Sequence, residues 1–158
     1  MTLLKTLLFT LVVPGTVAGG IPYLLLVYGR SLPPLPAGPL RYAGGVLLVL
    51  GVLIYLWCAA EFTFRGHGTP SPTDSPRELV VTGLYRYSRN PMYVGIASTL
   101  FGTALFFQSA EVLLYATLVL LGFHLRVIYY EEPKLERSFG ASFRRYRQEV
   151  PRWLLRLA

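Results

Sequence analysis

Charge is scarce in this chain: only 15% of its 158 residues are Asp, Glu, Lys or Arg. Soluble domains carry about a quarter, so the composition points to lipid as a solvent rather than water. Cysteine is almost absent. Cys58 stands alone in an apolar run, which excludes an intrachain disulfide and a cysteine-rich metal centre, and reads as a buried thiol. With two histidines, His67 and His124, and scattered acids, no metal-ligand spacing arises. His124 reads as a hydrogen-bonded packing residue, and His67 sits in a loop with no partner legible in the sequence. No Ser-His-Asp arrangement and no phosphate-cradling glycine loop occurs either. Acids are outnumbered, 8 against 15 basic residues, for a net charge of +7. The cations flank apolar blocks instead of forming one stripe, which argues for membrane topology and against a nucleic-acid partner.

What the chain has in abundance is apolar length, 53% of residues and a mean hydropathy of +0.48. The first block runs from about Leu3 to Val27. Lys5 and Val17-Ala18-Gly19 give it a signal-peptide flavour, yet apolarity resumes at Ile21 and continues. A retained transmembrane helix, kinked at Pro14, Gly15, Gly19, Gly20 and Pro22, is the expectation. Pro33, Pro34, Pro36 and Pro39 make an extended connection. The second block, about Leu40 to Phe64, has the length a bilayer requires and carries Gly44, Gly45 and Gly51, which permit close helix contact. Residues Arg65 to Asn90 form a long polar loop. The third block starts at Pro91, a residue suited to the first helical position, and ends near Phe107. Gln108-Ser109-Ala110 leaves room only for a tight reversal, so a fourth helix, about Glu111 to Tyr130, returns antiparallel. Glu111 suits its first turn. In the tail, Phe139, Phe143, Tyr146 and Val150 recur at helical spacing beside several arginines, the pattern of an amphipathic helix at the membrane surface.

The fold expected is therefore all-α: a polytopic bundle of about four transmembrane helices plus a C-terminal interfacial helix, one domain over residues 1–158. Lys5, the loop arginines Arg65, Arg77, Arg86 and Arg89, and the basic tail lie on one side, against only Arg30 and Arg41 on the other. The positive-inside rule puts both termini in the cytoplasm, in an inner or plasma membrane.

That topology gathers two polar clusters at one cytoplasmic end. Tyr85-Arg86-Tyr87-Ser88-Arg89-Asn90-Pro91-Met92-Tyr93 sets aromatic rings, guanidinium groups and an amide beside the exposed N–H groups of a helix start, a good place for carboxylate or phosphate oxygen. Glu131 and Glu132 end the fourth helix, where carboxylates oppose the dipole, a placement that suits acceptance of ligand hydroxyls or an ammonium group. Arg126 lies about a turn inside that helix. Its options, in order, are pairing with Glu61, orienting an anionic substrate group, and snorkelling to the interface.

These motifs resemble the isoprenylcysteine carboxyl methyltransferase and phospholipid methyltransferase superfamily of integral membrane enzymes. The resemblance rests on Gly83-Leu84-Tyr85-Arg86, Arg89-Asn90-Pro91-Met92-Tyr93-Val94-Gly95, Glu131-Glu132-Pro133-Lys134-Leu135, Phe139-Gly140 and Val150-Pro151-Arg152, and spans about Trp57 to Trp153. It implies S-adenosylmethionine as cofactor. By carry-over, Tyr85, Arg86, Asn90, Pro91 and Tyr93 would belong to the cofactor site, with Glu131 or Glu132 on its polar groups. Arg89 would lie nearest the methyl acceptor, a lipophilic small molecule or a lipid, and Arg126, on its position alone, is the second candidate there. Asn90 departs from the histidine of the carboxyl methyltransferases, and the extra spans of the larger eukaryotic enzymes are missing. A phospholipid amine methyltransferase and a non-catalytic membrane scaffold of the same fold are the alternatives.

Overall fold

The computed structural model describes residues 2–29, 31–64 and 79–153. The order of helices is α1 (Thr2–Gly15), α2 (Ile21–Tyr28), α3 (Leu40–Phe64), α4 (Pro91–Phe106), α5 (Ala110–Arg126) and α6 (Glu132–Glu149). No strand occurs among the described residues. Among the described residues three helical stretches are long and apolar enough to cross a membrane, and α4 is a shorter apolar helix. The protein is an all-α integral membrane bundle, as the hydropathy blocks require.

The expected kink of the first span is a π turn at Thr16–Gly20 between α1 and α2. Pro22 cannot donate a backbone bond, and a wider turn ahead of it absorbs the defect. The Tyr115 hydroxyl donates to the Val17 carbonyl at 3.0 Å. A neighbouring helix thereby satisfies a backbone group that lipid cannot.

Helix α3 packs antiparallel on α4 through glycines spaced about two turns apart on each helix. A methyl group placed on Gly51 would lie 2.5 Å from the Thr99 amide nitrogen, and one on Gly102 would lie 2.7 Å from the Gly44 carbonyl. The two backbones therefore touch, the way membrane helices gain dispersion energy without a hydrophobic driving force. Tyr55, Ala59, Ile96, Leu100 and Ala116 form the buried core between α3, α4 and α5.

Gln108 takes a positive φ of 57° to reverse the chain. The Ser109 hydroxyl then caps α5 by accepting from the Val112 amide at 3.2 Å. Glu111 accepts from the Leu32 amide at 2.9 Å, fastening the proline-rich connection to this turn.

One boundary differs from the sequence expectation. Glu131 and Glu132 do not end a helix. The rod continues from α5 through a second π turn, Val127–Glu131, into α6. Pro133 marks no break, because the widened turn just before it takes up its missing donor. The argument that these acids oppose a helix dipole falls with that boundary. Beyond them, α6 bends at Gly140 (φ 50°, ψ −119°), a conformation that a side chain would strain. The amphipathic helix is present, and its apolar face is covered by protein: Phe143, Tyr146 and Val150 are buried with Leu79, Leu135 and Phe139 around them.

Candidate functional site

Pro91 starts α4, so the residues before it must leave the helical region, and Asn90 does (φ −130°, ψ 49°). A short 3-10 turn, Gly83–Arg86, precedes it and buries Tyr85. The α4–α5 hairpin then returns the second polar cluster to this same end. Arg89 Nη1 donates to Glu132 Oε1 at 2.8 Å, and the Tyr93 hydroxyl donates to Glu131 Oε1. The juxtaposition on which the functional reading depends is therefore present.

Adjacent acids serve two separate networks. Glu131 takes the Tyr93 hydroxyl and Arg126 Nε, the latter at 2.7 Å. Tyr93 stacks on Phe123 with ring centroids 4.4 Å apart, and the Arg126 guanidinium lies 5.7 Å from the Tyr130 ring centre. Arg126 thus pairs with Glu131, and the expected pairing with Glu61 is replaced. Glu61 accepts from the Thr82 hydroxyl at 3.1 Å.

Glu132 serves the deeper network. Besides Arg89 it binds Arg152, with Nε to Oε1 at 2.7 Å and Nη2 to Oε2 at 2.9 Å. The side chains of Arg89 and Glu132 are only 9% and 10% exposed, and that of Arg152 is 30% exposed. Arg89 Nε is buried and has no acceptor among the described residues. Burial lowers the pKa of Arg89 against the raising effect of Glu132. Burial alone would raise Glu132, but the Arg152 hydrogen bonds and the charges of Arg89 and Arg152 outweigh it and hold the carboxyl below its ordinary value. Hydrogen bonding to Glu132 raises Arg152.

Arg152 belongs to a strap, Pro151-Arg152-Trp153, that follows α6 and lies against the loop before α4. The Arg89 amide donates to the Pro151 carbonyl at 2.9 Å, and Asn90 Nδ2 to the Arg152 carbonyl at 3.1 Å. Buried Ser88 donates to the Arg152 carbonyl at 3.3 Å, and Trp153 Nε1 to His124 Nδ1 at 3.1 Å. Tyr85 contributes from below, its carbonyl accepting the Tyr146 hydroxyl at 2.7 Å. Arg86 is exposed and stands outside the ion network. Arg152 and Ser88 were not singled out from the sequence as site residues. The Val150-Pro151-Arg152 ending was the one signal for Arg152, and Ser88 lay inside the Tyr85–Tyr93 run without a role of its own. Arg65, Arg77 and His67 lie outside the described residues.

Two facing motifs at one end of an apolar bundle invite comparison with known proteins. Residues 40–142 match the phospholipid methyltransferase family. The chain belongs to that family. It is also 35% identical over 85 residues to Protein-S-isoprenylcysteine O-methyltransferase of Schizosaccharomyces pombe. That match covers 54% of this chain and 36% of the relative, so the chain aligns with about a third of that protein. No solved structure matches the chain. For this family member, the matched region takes in α3, α4, α5 and both acids of the site.

Proposed function

We propose that this member of the family transfers a methyl group from S-adenosylmethionine to a lipophilic acceptor at the cytoplasmic membrane face, as an isoprenylcysteine carboxyl methyltransferase-like enzyme. The observation that carries this reading is the meeting of Arg89 and Tyr93 with Glu132 and Glu131 at the polar mouth of an apolar bundle. The residues suit such a cofactor: carboxylates for hydroxyl and ammonium groups, rings for a nucleobase, and a buried guanidinium N–H in want of an acceptor. When bound, S-adenosylmethionine supplies an electrophilic methyl group whose departure leaves a neutral thioether.

The chain's own task is alignment and exclusion of water. A carboxylate acceptor bonds to the methyl carbon without losing a proton, so it needs a guanidinium to orient it and no base. An amine acceptor must first be deprotonated. Glu131 and Glu132 are both already engaged by cations, which favours the carboxylate over the phospholipid amine. The acceptor would arrive from the bilayer and the cofactor from the cytosol. Arg126 would orient the acceptor; Tyr85, Arg86, Arg89, Asn90, Pro91, Tyr93, Glu131 and Glu132 would surround the cofactor, with Arg89 offering its buried N–H there rather than to the acceptor.

Calorimetric titration of the purified protein in detergent tests the reading. Saturable binding of S-adenosylmethionine is expected. No binding at roughly millimolar cofactor, the upper end of ordinary Michaelis constants, would favour a non-catalytic scaffold. Transfer of labelled methyl into a membrane lipid extract then addresses the acceptor, and alkaline lability of the product separates an ester from an amine.

A further inference from the structure

The Glu132 carboxylate is nearly full. Oε1 accepts from Arg89 and Arg152, Oε2 accepts again from Arg152, and the residue is buried. Three of about four acceptor positions are thereby used, and the Arg152 fork covers the carboxylate on the strap side. A ligand cannot engage this group fully while Arg152 stays in place.

Arg89 has the opposite condition. Its side chain is nine-tenths buried, yet Nε has no acceptor among the described residues. Two guanidinium groups share one carboxylate, so the network carries one positive charge and one N–H in excess. A clasp meant only to fasten the tail would need neither, since Glu132 and Arg152 alone would hold it. Burying an unpaired donor is costly.

We infer that Arg152 is a displaceable occupant of the site, holding on Glu132 the place of the ammonium group of a zwitterionic, amino-acid-like ligand end whose carboxylate takes the Nε–H of Arg89. This rests on the cofactor reading above, because S-adenosylmethionine carries such an end. The exchange replaces one cation by another on Glu132 and adds the anion that the network lacks. The local fold permits it. Helix α6 stops at Val150, which is extended (φ −120°, ψ 127°), so Pro151 to Trp153 can lift while Phe143, Tyr146 and Val150 stay packed. Arg152 is the most exposed member of the network, so it has a route to water. The strap thereby lowers ligand affinity by the fraction of time it spends closed.

The test uses the full chain in detergent micelles and two probes. S-adenosylhomocysteine keeps the amino-acid end; methylthioadenosine lacks it. In Arg152→Ala, affinity for S-adenosylhomocysteine should rise by about tenfold, the removal of a closed-state penalty, while affinity for methylthioadenosine stays constant. Trp153→Phe, which loosens the strap without touching Glu132, should shift affinity the same way by less. In a Trp57→Phe background, S-adenosylhomocysteine but not methylthioadenosine should change Trp153 emission. Weaker S-adenosylhomocysteine binding in both strap variants would make the strap a structural clasp and overturn the inference. An equal change for both probes would overturn the role of the amino-acid end. Failure of either nucleoside to bind the unaltered protein would instead remove the cofactor reading, and the inference with it.

Discussion

Glu132→Gln isolates the central charge of the buried network. The substitution keeps the shape and one carbonyl acceptor but leaves Arg89, 9% exposed, without a counter-charge, beside Arg152. Breaking a buried pair by removing one partner costs about 3–5 kcal/mol. Arg152 can turn into water, so the lower end applies. About 3 kcal/mol corresponds to roughly a hundredfold change in an opening equilibrium. The reporter is amide exchange at Arg89, whose N–H is held by the Pro151 carbonyl across the strap, followed by mass spectrometry in micelles. Exchange there should quicken by roughly a hundredfold, while amides of α3 and α4 stay protected. The double variant Arg89→Met with Glu132→Gln should recover part of the loss, because no buried charge is then stranded. Unchanged exchange at Arg89 in the single variant would show that the ion network does not hold the strap, and the energetic reasoning would fail.

Other consequences are as direct. Gly51→Ala forces a methyl group against the Thr99 backbone and should lower the thermal midpoint by several degrees, whereas Gly122→Ala, with nothing within 4 Å, should be neutral or stabilising; equal effects would discount the close approach of α3 and α4. Tyr115→Phe strips the Val17 carbonyl of its donor and should destabilise the first span by about 1 kcal/mol, read as faster exchange around the π turn. Because the folded-state pKa of Glu132 is depressed, its contribution to strap docking is present above the unfolded pKa of about 4.3 and is lost as pH falls through the lower folded value. Arg89 amide protection, corrected for intrinsic exchange, should therefore stay flat between about pH 6 and 8 and drop only in acid; a drop near pH 6 would assign the docking to another group.

Much of this architecture was readable before any coordinates, for identifiable reasons. Proline and glycine punctuate the chain where lipid forbids irregular backbone, so α3 begins at Leu40 and α4 at Pro91 as expected. The three-residue reversal before α5 could only bring the two motifs to one end. What escaped has causes as specific. A π turn has no sequence signature of its own, so Glu131 and Glu132 read as the end of a helix. The same turn puts residues five apart on one face, which is why Arg126 finds Glu131 locally instead of Glu61 across the bundle. The tail's apolar periodicity reads alike for a helix lying on lipid and one lying on protein. Arg152 sits in an aperiodic stretch beyond the last helix, where no spacing rule reaches, and only its place in the Val150-Pro151-Arg152 motif marked it.

The wide turn at Val127–Glu131 also acts as a register setting. It inserts one residue beyond what regular winding would use, so everything downstream is rotated by about 100° relative to an uninterrupted rod. Trimming a single residue there would leave composition and hydropathy almost untouched. Phe143 would nonetheless swing out of its cluster with Leu79 and Leu135 and Tyr146 away from the Tyr85 carbonyl, and each acid would inherit its neighbour's direction. The spacing of this stretch is therefore held to single-residue tolerance, far tighter than its greasy content suggests.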